Sequence, residues 1–286
     1  MSTYRIAATL RGGKRRSAVG DPVTVAAGCV VALAVLVALF APLLAPYDPN
    51  AVDPAAVYAP PSGAHWLGTD DTGRDILSRL IHGARPSLIA PAAVVVLATA
   101  VGTLVAITAA WAGGWVDRVI SGALDIIFGF PGLIMAVVAA AIFGPGLVVP
   151  VLAMSIAYVP LIARVVRTSA LKERNLPYIS ALQLMGTPTW SIWLRHLAPN
   201  LLPIIVVQAT VGFGYALLDI AAISFIGLGA QPPDAEWGLM VSNGYTGILS
   251  GEAGQVMYAG ITIVVVVIAF NLLGSWLSRK LLEEGS

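Results

Sequence analysis

Long uncharged hydrophobic blocks, separated by short charged segments, dominate the pattern of this chain. A membrane-spanning helix needs about 20 predominantly apolar residues. The block at residues 126–163 is too long for one helix, and Gly144-Pro145-Gly146 in its middle provides a turn that divides it into two. The pattern therefore predicts six membrane-spanning helices, in residues 22–47, 86–116, the two halves of 126–163, 201–226 and 253–277.

The composition is typical of an integral membrane protein, because 58% of the residues are hydrophobic and only 11% are charged. The basic residues are unevenly distributed: in a six-helix arrangement, thirteen of the sixteen Lys and Arg residues fall on one side. The opposite side holds only Arg74, Arg79 and Arg85. Because cytoplasmic loops are enriched in Lys and Arg, the sequence predicts that both termini and residues 171–199 lie in the cytoplasm.

The predicted organisation is a basic cytoplasmic tail (1–21), a first membrane helix (22–47), an external loop with a short helix (48–86) and a five-helix core (87–282) that contains the cytoplasmic loop 171–199. A cleaved signal peptide is the alternative for the first block. We favour an uncleaved helix, because the uncharged run is long for a signal peptide and no clear small-x-small site ends it. The single cysteine, Cys29, excludes an intramolecular disulfide.

Residues 178–200, YISALQLMGTPTWSIWLRHLAPN, form a polar-flanked segment between two hydrophobic blocks. The pattern predicts a short helix that Gly186 ends in a left-handed conformation, after which Thr187 and Pro188 supply the N-cap and first residue of a second helix. The first helix has an apolar face at a spacing of three, formed by Ile179, Leu182 and Met185. An apolar helical face outside the bilayer indicates a docking element for a partner protein.

The external loop is Pro-rich at its start and then reads HWLGTDDTGRDILSRLIHGARPSL over residues 65–88. Asp70 or Thr72 is a candidate N-cap for a helix from about Gly73. His65 and His82 are too far apart to form a recognisable metal-ligand pattern. We therefore predict a structured loop that leads into the second membrane helix, and no metal site.

Known catalytic motifs are missing from the sequence. It contains no G-x-x-x-x-G-K-[ST], no H-E-x-x-H and no G-x-S-x-G. We therefore predict a non-catalytic membrane protein.

Two acidic residues, Asp125 and Asp219, lie within or at the edge of predicted membrane helices. A carboxylate near the bilayer centre costs about 2.5–3.5 kcal/mol, so it normally faces a bundle interior or an aqueous path. Asp125 lies shortly before Phe130-Pro131, where the proline is expected to kink the third helix. Two interpretations stay open: the acids line a path for a hydrophilic cargo, or they pair with interhelical donors and fix the packing.

Five sequence blocks together resemble the inner-membrane permease subunits of ATP-binding-cassette importers, in the dipeptide/oligopeptide/nickel group and its shorter C-type permeases. The blocks follow the family's order within residues 20–282, and they are 65–88, 115–132 (WVDRVISGALDIIFGFPG), 178–200, 221–244 (AAISFIGLGAQPPDAEWGLMVSNG) and 269–281 (AFNLLGSWLSRKL). The resemblance implies an all-α integral membrane protein with six transmembrane helices, located in a bacterial inner membrane.

The resemblance also implies partners. These are a homologous second permease subunit, two ATPase subunits or one fused ATPase, an extracytoplasmic solute-binding protein and membrane lipid. ATP and Mg²⁺ would be bound by the ATPases, so the chain itself would carry no cofactor and no metal.

Three sets of site residues follow from the resemblance. The helix that couples to the ATPase, by lying in a groove of that subunit, would be formed by Ile179, Ser180, Ala181, Leu182, Met185, Gly186, Thr187, Pro188 and Trp190. The translocation pathway would include Asp125, Phe130, Pro131 and Asp219. Ionic contacts with the binding protein would come from Asp70, Asp71, Arg74, Asp75, Asp234 and Glu236.

The coupling motif departs from the family's pattern at its start. The family begins Glu-Ala-Ala, whereas this chain has Ser180-Ala181-Leu182 before the matching Gly186, and the later His196 to Asn200 element also matches. We therefore expect docking through the apolar face more than through charge.

Two other classes of protein were weighed against this one. An ion-coupled secondary transporter would need several titratable residues in the membrane, and only Asp125 and Asp219 qualify. A membrane scaffold would need no such cytoplasmic segment. The predicted function is the permease subunit of an importer for dipeptides or oligopeptides, with another cargo such as a nickel chelate as the alternative.

Overall fold

The computed structural model describes residues 22–284, and every regular element in that range is helical. The basic tail predicted for residues 1–21 lies outside the described residues. A 3₁₀ turn (Pro54–Ala56) and a π-helical turn (Trp193–Leu197) accompany ten α-helices. These are α1 (Pro22–Leu44), α2 (Ile76–Ala112), α3 (Gly114–Phe128), α4 (Gly132–Phe143), α5 (Val148–Arg174), α6 (Pro177–Leu184), α7 (Thr189–Ile192), α8 (Ala198–Phe225), α9 (Trp237–Leu249) and α10 (Gly254–Glu284).

Five helical segments are long and apolar enough to cross a membrane, namely α1, α2, α5, α10 and the stretch Thr189–Phe225 that contains α8. Helices α3 and α4 are bent by 76° at the short break between them, and the pair taken together has the length and apolar composition of a sixth span. Pro131 lies in that break and has no amide hydrogen with which to continue α3. The predicted six membrane helices and the kink near Phe130-Pro131 are confirmed.

The face that carries α6 and α7 is called cytoplasmic and the opposite face external, as the charge distribution predicts. On the external face the helix predicted from about Gly73 begins instead at Ile76 and runs without a break into the membrane as α2. Its N-cap is Asp75, whose Oδ2 accepts a hydrogen bond from the amide of Ser78 at 2.8 Å. The predicted caps Asp70 and Thr72 are wrong, because Gly73 reverses the chain with a φ of +80° before the helix starts. The predicted boundary between residues 86 and 87 falls inside α2.

Helices α2 and α5 form the centre of the bundle, and α8 packs against both. The contact is close because small residues face it on α2, where Ala98 and Ala106 are buried. A Cβ atom on Gly102 would lie 3.2 Å from the carbonyl oxygen of Val159, so glycine allows the backbones to approach. Membrane helices gain van der Waals contact in this way.

Helix α1 is attached to the bundle by an arginine of α2. Pro42 lies inside α1 and has no N–H, so the carbonyl of Ala38 lacks its usual helical donor. Arg85 supplies one: its Nε donates to the oxygen of Ala38 at 2.8 Å and its Nη2 to that of Leu39 at 3.2 Å. The backbone is non-helical at Phe40, between these groups.

Helix α9 was not predicted from the sequence. It packs between α8 and α10 at their external ends and also touches α2. The packing depends on Gly238, where a Cβ atom would lie 2.4 Å from the carbonyl oxygen of Ala221. The segment preceding α9, which was expected to be an exposed loop, is therefore partly enclosed by the bundle.

Candidate functional site

The cytoplasmic coupling segment, residues 177–197, has the predicted helix–glycine–helix form. Helix α6 ends at Gly186, which has a φ of +75°, and the amide of Thr187 donates to the oxygen of Leu182 at 3.0 Å, as in a left-handed helix terminus. The second helix starts one residue later than predicted. Pro188 occupies the N-cap position with an extended ψ of 139°, and α7 begins at Thr189, so Thr187 does not cap it.

The apolar surface of the coupling segment differs from the predicted face. Ile179 is buried within the chain and Leu182 is half-buried, so Ile179 is not available for docking. Met185 of the predicted face does project outward, and so do Leu184 and the predicted Trp190, with exposed fractions of 71%, 90% and 61%; Leu194 farther along the segment is also exposed. The coupling face is defined by the first three of these residues, Leu184, Met185 and Trp190. Leu184 was missed because the spacing of three selected the inward side of α6. The remaining predicted positions are exposed or half-buried, namely Ser180, Ala181, Gly186, Thr187 and Pro188.

Three polar side chains fasten the coupling segment to the bundle. The hydroxyl of Tyr178, at the start of α6, donates to Oε1 of Glu173 on α5 at 2.5 Å. Asn200 on α8 donates its amide to the same oxygen at 2.6 Å. Burial and the neighbouring Glu173 carboxylate raise the pKa of Tyr178 to about 12, which keeps the phenol protonated as a donor. The ends of α5 and α8 are thereby joined through α6.

A cavity of about 610 Å³ opens between α4, α5 and α8, inside the membrane region. Three of the four predicted pathway residues line it: Phe130, Pro131 and Asp219. The hydroxyl of Tyr158 on α5 donates to Oδ2 of Asp219 on α8 at 2.8 Å. Further polar or aromatic lining residues, which the sequence did not single out, are Phe128, Gln208 and Tyr215.

The fourth predicted pathway residue, Asp125, lies outside this cavity. It lines a smaller, adjoining cavity of about 230 Å³ together with Arg164 and Arg167 of α5. Its Oδ1 accepts a hydrogen bond from Nη2 of Arg164 at 2.7 Å. Asp125 therefore has an interhelical partner, as the packing interpretation required, at a position that still borders a cavity.

Four of the six residues predicted to contact a binding protein are buried inside the protein, so these four predictions are wrong. They are Asp70, Arg74, Asp75 and Glu236. Asp70 accepts from Nε of Arg74 at 2.7 Å, and both side chains are buried. Asp75 caps α2 through Oδ2, and its Oδ1 accepts a hydrogen bond from Nδ1 of His65 at 3.0 Å. Glu236 caps α9 by accepting from the amides of Gly238 at 3.0 Å and Leu239 at 2.8 Å.

The physical reason for these corrections is that each carboxylate satisfies backbone amides or an arginine that would otherwise be buried without a partner. Burial raises the pKa of Glu236 in spite of its hydrogen bonds. Only Asp71 and Asp234 remain exposed. The pKa of Asp71 is raised by its partial burial and by the adjacent Asp70 carboxylate.

Arg79 joins three external segments and was not predicted. Its side chain is fully buried, with Nη1 donating to the oxygen of Pro49 at 2.8 Å and Nη2 to that of Asp234 at 3.0 Å. Its Nε lies 3.6 Å from Oδ2 of Asp70. A lone arginine at the start of an apolar helix was the available sequence signal. Within residues 22–284, no three His, Cys, Asp or Glu side chains are grouped to hold a metal ion.

Comparison with known proteins accounts for nearly the whole chain. Residues 98–283 match the binding-protein-dependent transport system inner membrane component family, and residues 18–61 match the N-terminal TM domain of oligopeptide transport permease C. A probable D,D-dipeptide transport system permease protein of Escherichia coli is 38% identical over 264 residues, which cover 92% of this chain and 88% of the relative.

Two further relatives agree. A dipeptide transport system permease protein of Alkalihalophilus pseudofirmus is 40% identical, with 86% of this chain and 81% of the relative covered. A glutathione transport system permease protein of Pectobacterium atrosepticum is 39% identical, with 91% and 86% covered. The chain therefore belongs to the family of multi-pass inner-membrane permease components of binding-protein-dependent ABC transport systems.

Proposed function

We propose that this permease is one half of the translocation pathway of an importer for short peptides, driven by cytoplasmic ATPases. One observation carries the proposal: α5 and α8 both line the 610 Å³ cavity and both hold the ends of the coupling segment. A force on α6 is therefore passed to the two helices that form the wall of the cavity. The chain performs no chemistry itself.

The cycle begins at the coupling face. Leu184, Met185 and Trp190 enter an apolar groove of an ATPase subunit, in the manner of a helix in a groove. ATP and Mg²⁺ are bound by the ATPases, whose closure moves α6. The bonds of Tyr178 and Asn200 to Glu173 pass that movement to α5 and α8. The cavity then changes the side to which it opens.

Three kinds of protein partner complete the transporter. A homologous second permease supplies the other half of the pathway, and two ATPase subunits, or one fused ATPase, dock on the cytoplasmic face. A solute-binding protein delivers the cargo from outside. The exposed Asp71 and Asp234 are the acids of this chain that remain available to contact it.

A peptide cargo is supported by the names of the relatives, which are permease proteins of D,D-dipeptide, dipeptide and glutathione transport systems. The alternative cargo is a chelated metal such as nickel. An ion-coupled secondary transporter is less well supported, because membership of a binding-protein-dependent family points to ATP as the energy source.

The test is uptake by the complete transporter reconstituted in liposomes with its binding protein. We expect a radiolabelled dipeptide or tripeptide to accumulate only when two components are present. These are ATP on the side of the membrane that carries the ATPases and the binding protein on the opposite side. Uptake of a nickel chelate in place of peptide would overturn the cargo assignment. Uptake driven by a proton gradient without ATP would overturn the proposed mechanism.

A further inference from the structure

Phe128 lies at the boundary between the large and the small cavity. Its side chain lines the 610 Å³ cavity, and the guanidinium carbon of Arg164 lies 4.0 Å from the centroid of its ring. Arg164 itself lines the 230 Å³ cavity. A solute that leaves the large cavity past Phe128 therefore meets the guanidinium of Arg164.

Arg164 is held weakly enough to accept another carboxylate. Within the described residues its acidic partner is Asp125, and the side chains of Arg164 and Asp125 are 43% and 68% exposed. Ion pairs with this exposure are weak. Arg167 is held more firmly, because it forms a bidentate ion pair with Asp117. Its Nε and Nη2 donate to the two carboxylate oxygens at 2.6 and 2.5 Å. An incoming carboxylate can thus replace Asp125 at Arg164 more readily than it can replace Asp117 at Arg167.

Asp219 provides a negative charge in the large cavity, opposite in sign to Arg164. Within the described part of the chain, Asp219 accepts a hydrogen bond from Tyr158 at Oδ2, so Oδ1 can accept one from a donor in the cavity. Tyr158 and Arg164 lie six residues apart on α5, which corresponds to about 9 Å along its axis but also to a rotation of about 240° around it. The two side chains therefore leave α5 on different sides, and it is the contact with Phe128 that brings the Arg164 guanidinium to the wall of the cavity that Asp219 lines. An extended peptide of two to three residues spans about 7–11 Å.

We propose that Asp219 and Arg164 form a two-ended site for a zwitterionic short peptide. The Asp219 carboxylate receives the ammonium group of the peptide, Arg164 receives its terminal carboxylate, and Phe128 lies between them. The site rests on the proposed peptide cargo and names the groups of this chain that recognise the two charged ends. It selects for free peptides of two or three residues over blocked ones.

The experiment compares uptake of tri-alanine with that of its C-terminal amide by the complete reconstituted transporter, each at a concentration that saturates the binding protein. We expect the wild type to transport the free acid about tenfold faster than the amide, since hydrogen bonds to charged groups are strong but this pair is partly exposed. Arg164→Gln reduces that ratio to about one. Arg164→Lys retains most of it, because the positive charge remains.

The matched control is Arg118→Gln, which removes an exposed arginine of α3 that lies outside both cavities. It leaves the ratio of acid to amide unchanged. Asp219→Asn supplies an independent arm, in which the preference for tri-alanine over N-acetyl-tri-alanine falls to about one. This arm decides the matter if the Arg164 variants fail to assemble.

The outcomes separate this site from the proposed function. The two-ended site is wrong if the ratio of acid uptake to amide uptake is the same in the wild type and in Arg164→Gln while uptake is intact. That result leaves the peptide importer unaffected. A wild type that transports tri-alanine and its amide equally fast also overturns the two-ended site but not the peptide importer. Failure of the wild type to take up any labelled dipeptide or tripeptide, tri-alanine included, overturns the peptide importer, and the site with it.

Discussion

The hydroxyl of Tyr178 donates to Oε1 of Glu173 at 2.5 Å, and this bond connects the coupling segment to α5. The same carboxylate oxygen accepts the amide of Asn200 from α8 at 2.6 Å. Three helices thus meet at one oxygen atom outside the membrane. Because α5 and α8 also wall the large cavity, the contact connects the coupling segment to both of these helices.

Removal of the Tyr178 hydroxyl should weaken coupling. In Tyr178→Phe, Glu173 keeps the Asn200 bond but loses its donor from α6, and Asn200 loses its bond to the Tyr178 hydroxyl. Helix α6 is then joined to α5 by the connecting residues 175–176 and passes its movement to α8 less directly. We expect the stimulation of ATP hydrolysis by loaded binding protein to fall several-fold, while basal hydrolysis by the ATPases continues. Tyr245→Phe, which removes an exposed hydroxyl on α9, is the control. Unchanged stimulation in Tyr178→Phe would show that the contact does not transmit the movement.

The left-handed conformation of Gly186 should restrict which residues are tolerated there. No atom lies within 4 Å of a Cβ built on Gly186, so backbone strain alone decides the effect. A β-branched residue is strongly disfavoured at a φ of +75°, whereas asparagine tolerates it. Gly186→Val should therefore reduce ATP-dependent uptake much more than Gly186→Asn. Equal activity of the two variants would mean that the turn is not needed in this form.

Loss of the buried Arg79 should destabilise the external face. Arg79→Leu leaves the oxygens of Pro49 and Asp234 without this donor and leaves Asp70 with less compensation. Breaking a buried charged contact in this way costs about 3–5 kcal/mol. We expect an apparent melting temperature lower by about 10 °C in detergent. Arg118→Leu, at an exposed position, should change it little; an equal fall in both variants would contradict the role given to Arg79.

The bond from Arg85 to Ala38 should matter only while Pro42 is present. Arg85→Leu costs about 1 kcal/mol in the wild type, because the carbonyl of Ala38 then lacks a donor. In Pro42→Ala the new amide of residue 42 can donate to that carbonyl, so the cost of Arg85→Leu should be smaller. A double-mutant cycle on thermal stability measures the difference. Additive effects would show that the two residues act independently.

Local chemistry allowed several features to be predicted from the sequence. The break at Pro131 follows from the missing amide hydrogen, and the turn at Gly186 from the tolerance of glycine for a positive φ. The six spans follow from the length of the uncharged blocks.

Features that depend on tertiary packing were not predictable in the same way. Asp70, Asp75 and Glu236 look like surface acids, and only the fold shows that they meet buried amides or an arginine. Helix α9 depends on the close contact of Gly238 with α8. On α6, the spacing of the apolar residues did not show which of them point inward. The fold decides this, because Ile179 is buried and Leu184 faces outward.

The most direct test of coupling through this segment combines Leu184→Asp with Trp190→Ala in the complete reconstituted transporter. Loss of the coupling face should abolish ATP-dependent peptide uptake and release the ATPases from the assembled permease in a pull-down. Trp115→Ala, which removes a tryptophan exposed to 72% at the start of α3, should retain both. Full uptake in the Leu184/Trp190 double variant, with ATPases still bound, would contradict the account.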